Sequence, residues 1–309
     1  MPFRFTLRQI EYLIAVADSG SVALAAERLH VSSPSISAAI GQLEAEFGLP
    51  LFIRRHAQGL SLTEGGRELV AEARHLLQAA AALGDRAAEL TGAVSGALSV
   101  GCLLTFAQVV LPRLRRSFAD AYPQVDFRQS EHDHAALIDA LRHARLDAAL
   151  SYDMQVPPDL TFVPLLALPP YALLAADHPL ATRASVTASE LAPHPMVLLD
   201  LPYSADYFLS LFAGPKPDIA ERTRDMGVMR AMVANGFGYS IANIRLGSDR
   251  APDGSRLVFV PIETDLPPMR MGLILAAGAA QRRTVAAFVA HCRATVTESA
   301  LPGLTSPRT

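Results

Sequence analysis

The stretch HVSSPSISAAIGQLE, from His30 to Glu44, constrains this chain more than any other. Ile36, Ile40, Leu43 and Phe47 recur at spacings of four, three and four, which places them on one face of a helix. The opposite face carries Ser35, Ser37, Ala38, Gly41 and Gln42. Ser33 is a good N-cap, because its hydroxyl accepts an orphan backbone N–H. Pro34 fits the first helical position, where its missing N–H costs nothing. One side of this helix belongs to a core, and the other is bare enough to lie close against a partner.

The flanking residues frame that helix. Leu7, Ile10, Ile14 and Ala17 follow helical spacing, and Ser19-Gly20 stops the run. A short second helix spans Val22 to Leu29, with Ala25 and Ala26 small enough for close approach. HVSS is then a tight connection with Val31 as its apolar plug. Two short helices, a turn and a capped third helix make a helix-turn-helix unit. A helix entering the major groove brings its N-terminal end to base edges and phosphates. Small hydroxyl residues permit that approach, and Pro34 and Ala38 suit a thymine methyl. The same pattern also fits a helical packing module with an unused face. Next, GLPLFIRRHAQGLSLTEGG reads as a turn, a short strand, a basic tip and a return strand, with Leu51, Phe52, Leu60 and Leu62 inward. Arg54 and Arg55 fall where a wing meets phosphates or the minor groove, although paired loop arginines are also often merely solvated.

These residues, from LRQIEYLIAVADSG through LFIRR to LSLTEGG, resemble the N-terminal domain of the LysR-type transcriptional regulators. The resemblance runs without a gap from about Leu7 to Gly66, and later landmarks extend it over nearly the whole chain. It implies an N-terminal winged helix-turn-helix, a long coiled-coil linker helix and a two-lobed α/β effector domain like a periplasmic binding protein. One departure stands out: Ala38 and Gly41 occupy positions where family members often carry a basic residue. Residues 1–66 hold five arginines and six acids, a net of −1. Phosphate neutralisation dominates non-specific affinity, so each domain alone is expected to bind DNA weakly. The expected DNA contacts are Ser33, Pro34, Ser35, Ser37, Ala38, Gln42, Arg54 and Arg55.

Thr63 is placed to cap a helix running to about Leu90. Gly66, Leu69, Ala73, Leu76, Ala80, Leu83, Ala87 and Leu90 alternate spacings of three and four, which is an a/d seam. The alternative is a helix buried along its own domain. In the resembled family this helix dimerises the DNA-binding domains, and two dimers commonly make a tetramer. Leu69, Leu76, Leu83 and Leu90 are the expected dimer contacts. Two linked half-site readers gain avidity without new contacts, which offsets the weak charge of each.

TGAVSGALSVG marks a hinge near Gly92 to Gly96. After it strands and helices alternate, which predicts parallel sheets covered by helices. The helix after the first strand is expected over about Ala107–Ala121. The expected domains are 1–62 for the winged helix-turn-helix, 63–91 for the linker, and 92–303 for the effector domain, with a tail at 304–309. Lobe 1 covers about 92–161 and 269–303, and lobe 2 about 162–268. Ligands of such folds sit outside the C-termini of the strands. That rule nominates Thr105, Phe106, Ser130, Glu131, Tyr152, Pro202, Tyr203, Met226, Gly227 and Asn243. Leu104, Asp153, Asp200 and Ser204 stand at the same strand ends. The resemblance supports Thr105, Ser130 and the Met226-Gly227 position most. These candidates hold several acids and no cation, which disfavours a dianion and leaves amides, amines and aromatic acids open.

Composition narrows the alternatives. With 50% hydrophobic and 18% charged residues the chain can bury substantial cores. A net charge of −3 advertises no general affinity for nucleic acid. Cys102 and Cys292 make no disulfide framework and suit a reducing cytoplasm as inert core thiols, with a redox pair as the rarer alternative. No apolar run is long enough to span a bilayer, so no membrane partner is expected. Nucleophile elbow, Walker loop and paired G-x-G-x-x-G are all missing, so catalysis is not expected. His132 and His134 form a lone H-x-H, a pattern more often found in capping and surface positions than on a metal. The expectation is a regulator in the cytoplasm without cofactor or metal. Its partners would be double-stranded promoter DNA, its own copies as homodimer or homotetramer, a small-molecule effector and RNA polymerase. An α/β enzyme or a solute-binding protein for a small metabolite is the competing class.

Overall fold

The computed structural model describes residues 4–55, 59–89, 94–214, 216–276 and 278–298. The chain forms two compact units, one of Met1–Gly96 with Arg142–Arg145 and one built from Ala97–Leu141 and Leu146–Thr309.

The first unit begins with three helices, α1 (Leu7–Ser19), α2 (Val22–Leu29) and α3 (Ser33–Phe47). Each has a local start and stop. Thr6 and Gln9 close a capping box on α1, and Gly20 ends it in the left-handed region. The cap of α3 is Ser32, not the expected Ser33: its Oγ accepts from Ser35 N at 3.3 Å and lies 2.7 Å from Ser35 Oγ. Either serine suits the role chemically. The extended backbone at Ser32 (ψ 142°) decides it and leaves Ser33 and Pro34 in the first turn. Leu13, Val16, Ala25, Ile36 and Leu43 make the core.

The hairpin of β1 (Phe52–Arg55) and β2 (Gly59–Leu62) is antiparallel, pairing Phe52 with Leu62 and Arg55 with Gly59. Two bonds set its position. Glu44 Oε1, on α3, accepts from Leu51 N at 2.7 Å, and Leu60 N donates to Gly20 O at 2.9 Å. Helix α4 (Glu64–Glu89) follows, with Thr63 Oγ1 accepting from Gly66 N at 2.8 Å. Its first turns do not form a free seam. A β-carbon at Gly66 would stand 2.1 Å from Leu51 O, Ala73 is buried, and Leu69 packs partly on the three-helix core. Leu76 and Leu83, by contrast, are 39% and 74% exposed. Leu90 lies outside the described residues, as do residues 91–93 of the expected hinge.

The second unit has two sheets of different order. β3 (Gly96–Leu103), β4 (Val125–His132), β5 (Ala148–Tyr152), β6 (Leu160–Leu168) and a late strand, Met269–Ala276, make a five-stranded sheet in the order β4-β3-β5-late strand-β6. Helices α5 (Leu104–Ala107), α6 (Leu111–Ala121) and α7 (His134–Arg142) accompany its first strands. The single helix expected over Ala107–Ala121 is two, because Pro112 belongs in a first turn and α6 restarts there. The second lobe holds β7 (Tyr171–Ala175), β8 (Val186–Thr187), α8 (Ala188–Leu191), β9 (Pro195–Leu199), α9 (Ser204–Ser210), β10 (Asp218–Thr223), α10 (Met226–Ala234), β11 (Ser240–Ala242) and β12 (Leu257–Glu263). The late strand is β13, and α11 (Arg283–Thr295) closes the unit.

Both main sheets are mixed, not parallel as strand–helix alternation suggests. β13 runs antiparallel to both β5 and β6, and β11 and β12 run antiparallel to β7. The reason is that the chain passes between the lobes twice, leaving through Pro169-Pro170 and returning through Pro267-Pro268. The two passages are adjacent strands, with Leu168 paired to Met269. Proline on both flanks restricts the backbone where the lobes join. At the foot of the same sheet Arg282 forms an ion pair with buried Asp147 and donates to Ala97 O at 2.9 Å. Among the described residues, no helix is long and apolar enough to cross a membrane.

Candidate functional site

Two surfaces concentrate the nominated residues. On α3, Ile36, Ala39, Ile40 and Leu43 are buried and Pro34, Ser35, Ser37, Ala38, Gly41 and Gln42 are exposed, with Ser33 half-buried. One helix thus offers a continuous face of hydroxyl and methyl groups, rooted in a core on its other side. Gln42 is not free to rotate at will: its Oε1 accepts from Gln9 Nε2 at 2.7 Å. The backbone of Arg54 and Arg55 belongs to β1, while their side chains lie outside the described residues.

The second surface is a cavity of about 290 Å³ within the α/β unit, at the strand ends of both lobes. Leu103, Met154, Leu199, Leu201, Phe208 and Ile244 give it a largely apolar wall. Of the nominated residues, Thr105, Glu131, Tyr152, Pro202, Met226 and Asn243 line it, as do Leu104 and Ser204. Phe106, Ser130, Tyr203 and Gly227 are not among its lining residues. Phe106 is fully buried and packs on Tyr152 at 4.6 Å between ring centroids. Ser130 Oγ lies 2.9 Å from His132 Nε2, and Tyr203 meets His134 edge-on at 5.3 Å. Gly227 sits in the first turn of α10, where an added β-carbon would press on Asp225 Oδ1 at 3.1 Å. Asp153 is taken by Arg270 (2.5 Å) and Asp200 by Arg222 (3.3 Å).

The lobes are tied at the cavity floor. Tyr152, ending β5, donates its hydroxyl to Asn243 Oδ1 at 2.8 Å, and Asn243 Nδ2 reaches Met269 Sδ at 3.2 Å. Burial raises the Tyr152 phenol above its ordinary range, so it stays a neutral donor.

The charge pattern differs from the expectation of acids alone. Arg224 lines the cavity and makes no ion pair or hydrogen bond among the described residues. Glu131, Asp133 and Asp225 face it as well. Asp133 Oδ1 accepts from Ala136 N at 2.8 Å and Asp225 Oδ1 from Val228 N at 2.9 Å, so each carboxylate caps a helix. Two histidines that strand-end reasoning did not nominate also line the wall, His132 and His134. His134 is 4% exposed, with Nδ1 2.8 Å from Ser151 Oγ, and burial lowers its pKa. Among the described residues, no group of three or more His, Cys, Asp or Glu is arranged to hold a metal ion. Cys102 and Cys292 are both fully buried, and burial pushes both thiols far above the ordinary range.

Residues 7–67 match the bacterial regulatory helix-turn-helix protein family of lysR type, and residues 91–297 match the LysR substrate binding domain. The hydrogen peroxide-inducible genes activator of Dickeya chrysanthemi is 28% identical over 280 residues, 89% of this chain and 91% of its own length. HinK, a LysR family transcriptional regulator from Pseudomonas aeruginosa, is 32% identical in its crystal structure, with a TM-score of 0.65 over 95% of this chain and 99% of HinK. A full-length OxyR variant from Pseudomonas aeruginosa is 25% identical, with a TM-score of 0.78 over 94% of this chain and 96% of that one. A capped helix-turn-helix joined to a two-lobed domain with a cavity at its strand ends, matched by family over both parts, leads to one conclusion: the chain belongs to the LysR family and is a ligand-responsive, DNA-binding transcriptional regulator, not an enzyme.

Proposed function

We propose that the regulator binds promoter DNA as a homo-oligomer through the exposed face of α3, and that a small molecule in the α/β cavity controls it. The observation that carries this reading is the α3 face itself. Pro34, Ser35, Ser37 and Ala38 lie exposed at the N-terminal end of a helix whose other side is core, and that is the end a recognition helix brings to base edges. The bond from Leu51 N to Glu44 joins the hairpin to the same helix, which supports the reading of the Arg54–Arg55 strand as a wing on the phosphates. Ser33 and Gln42 complete the interface.

Leu76 and Leu83 on α4 pair two copies, since they are apolar, exposed and a heptad apart. The turns before them, with Leu69, serve their own domain. In the α/β unit, a ligand touching Thr105, Glu131 and Tyr152 on one lobe and Pro202, Met226 and Asn243 on the other shifts the lobe angle through its unequal affinity for the two arrangements. That shift alters the DNA bend and the access of RNA polymerase. A covalent peroxide sensor is the second reading, suggested by the Dickeya relative. Reactive cysteines need thiolate character and exposure, and both cysteines of this chain are buried with raised pKa values. That favours a reversibly bound effector.

DNase footprinting upstream of the protein's own gene, repeated with a panel of metabolites and with hydrogen peroxide, tests this reading. Sequence-specific protection altered by a metabolite supports it. Metabolite turnover without protection defeats it, and a response to peroxide alone supports the second reading.

A further inference from the structure

The polar groups lining the cavity divide into those already matched and those left over. Tyr152 and Asn243 bond each other, and Ser204 Oγ donates to Leu201 O at 3.3 Å. The lining histidines are engaged elsewhere, His132 Nε2 with Ser130 Oγ at 2.9 Å and His134 Nδ1 with Ser151 Oγ at 2.8 Å. Asp133 and Asp225 cap α7 and α10, so the positive end of a helix answers each carboxylate. Thr105, Gln108, Arg224 and Glu131 remain. Among the described residues the first three side chains have no hydrogen-bond or ion-pair partner, and Glu131 accepts only from Gln129 Nε2, at 2.9 Å.

Two of these groups carry charges of opposite sign, and they stand on opposite lobes. Glu131 belongs to β4 of the first lobe, and Arg224 follows β10 of the second. Neither forms an ion pair with the other or with any described residue. A ligand enclosed between them has to answer both, because a charge shut away from water without a partner is strongly unfavourable. A carboxylate alone would satisfy Arg224 and oppose Glu131. An amine alone would do the reverse, and an uncharged molecule would leave both unpaired. A zwitterion satisfies both. A guanidinium holds a carboxylate through two parallel hydrogen bonds. An ammonium has three donors, and the first lobe offers three acceptors in the Glu131 carboxylate, Thr105 Oγ1 and Gln108 Oε1. The apolar wall takes a hydrocarbon side chain, and about 290 Å³ suits a small one.

We propose that the effector is an amino acid with an apolar side chain, its carboxylate on Arg224 and its ammonium on Glu131. The proposal rests on the reading of the cavity as the effector site. Because the two charges come from different lobes, such a ligand favours the arrangement that brings both lobes onto it.

The test is isothermal titration calorimetry of the full-length protein with L-leucine and L-phenylalanine, each beside the two analogues that lack one charge. For leucine these are 4-methylpentanoate and 3-methylbutylamine, and for phenylalanine 3-phenylpropanoate and 2-phenylethylamine. The expected result is that at least one of the amino acids binds at least tenfold more tightly than both of its analogues. Arg224→Leu should erase its advantage over the amine, to within about twofold, and keep its advantage over the carboxylate. Glu131→Gln should do the opposite. Both side chains are exposed, so neither change touches the core, and a general loss of structure would not produce this crossed pattern. No binding of either amino acid, an analogue that equals its amino acid, or variants that keep the wild-type discrimination overturns the proposal. Leu104→Trp, which fills the cavity from an exposed position, separates this failure from failure of the cavity reading. If it cancels a metabolite-altered footprint while neither amino acid is preferred, the cavity reading stands and the amino-acid assignment falls. If it leaves both the footprint response and amino-acid binding unchanged, the cavity reading itself falls.

Discussion

Tyr203 meets His134 edge-on, with ring centroids 5.3 Å apart and ring planes at 70°, so one residue of the second lobe rests on the helix start of the first. Tyr203 does this from a strained backbone, at φ 67° and ψ −43°, with Ser204 N donating to Pro202 O at 2.9 Å across it. A three-residue turn with positive φ is rare for a non-glycine residue. Such strain costs on the order of 1–3 kcal/mol and persists only where the surroundings hold it. Tyr203→Gly relieves the strain and loses the ring contact, whereas Tyr203→Ala loses the contact and keeps the strain. Urea unfolding should therefore find the alanine variant less stable than the glycine variant by about 1 kcal/mol.

The Tyr152–Asn243 bond should behave as a matched buried pair. Asn243→Leu leaves the Tyr152 hydroxyl buried without an acceptor and should cost about 1–3 kcal/mol. Adding Tyr152→Phe to that variant should recover part of the loss. A double-mutant cycle by chemical denaturation checks this, and a coupling energy near zero would show that the two residues act separately.

Acid should destabilise the protein before any carboxylate titrates. Burial is the largest cause of lowered pKa values at His134, His178 and His291, with His194 adding repulsion and Asp177 opposing it at His178. Unfolded histidines protonate near the ordinary value of about 6.5. Below that value the unfolded chain binds more protons than the folded one, so stability falls with pH until the lowered native pKa values are passed. Melting temperatures from pH 7.5 to 5.5 should decline, and His178→Asn should flatten the decline.

Leu76→Asp should weaken self-association while leaving the three-helix core intact, because Leu76 is exposed within its own subunit. Sedimentation velocity reads the shift toward monomer. An unchanged oligomer would place the main contact between copies elsewhere.

How much of this was legible depended on how local the cause is. Helix α3 was readable from its spacing and its serine-proline start, though the choice between Ser32 and Ser33 turned on a backbone angle that composition does not encode. The α4 heptads were visible, but Gly66 and Ala73 answer to Leu51 and the three-helix core, a contact that periodicity cannot separate from dimerisation. At the cavity, strand-end reasoning found Thr105, Tyr152 and Asn243. It missed Arg224, one residue beyond the end of β10, and it left His134 as a capping residue. Burial of His134 depends on Ser151 and on Tyr203, which only the fold brings together. Sheet direction was misjudged because the second passage between lobes reverses β13, and no residue pattern announces that reversal.

The exposed face of α3 is tested most directly by Ser37→Glu, which sets a negative charge against the groove without touching the core. Quantitative footprinting on the protein's own upstream DNA, with folding checked by circular dichroism, should show wild-type protection and its loss by at least tenfold in affinity in the variant. Equal protection by a folded Ser37→Glu protein would contradict the account, because DNA would then be read by some other surface.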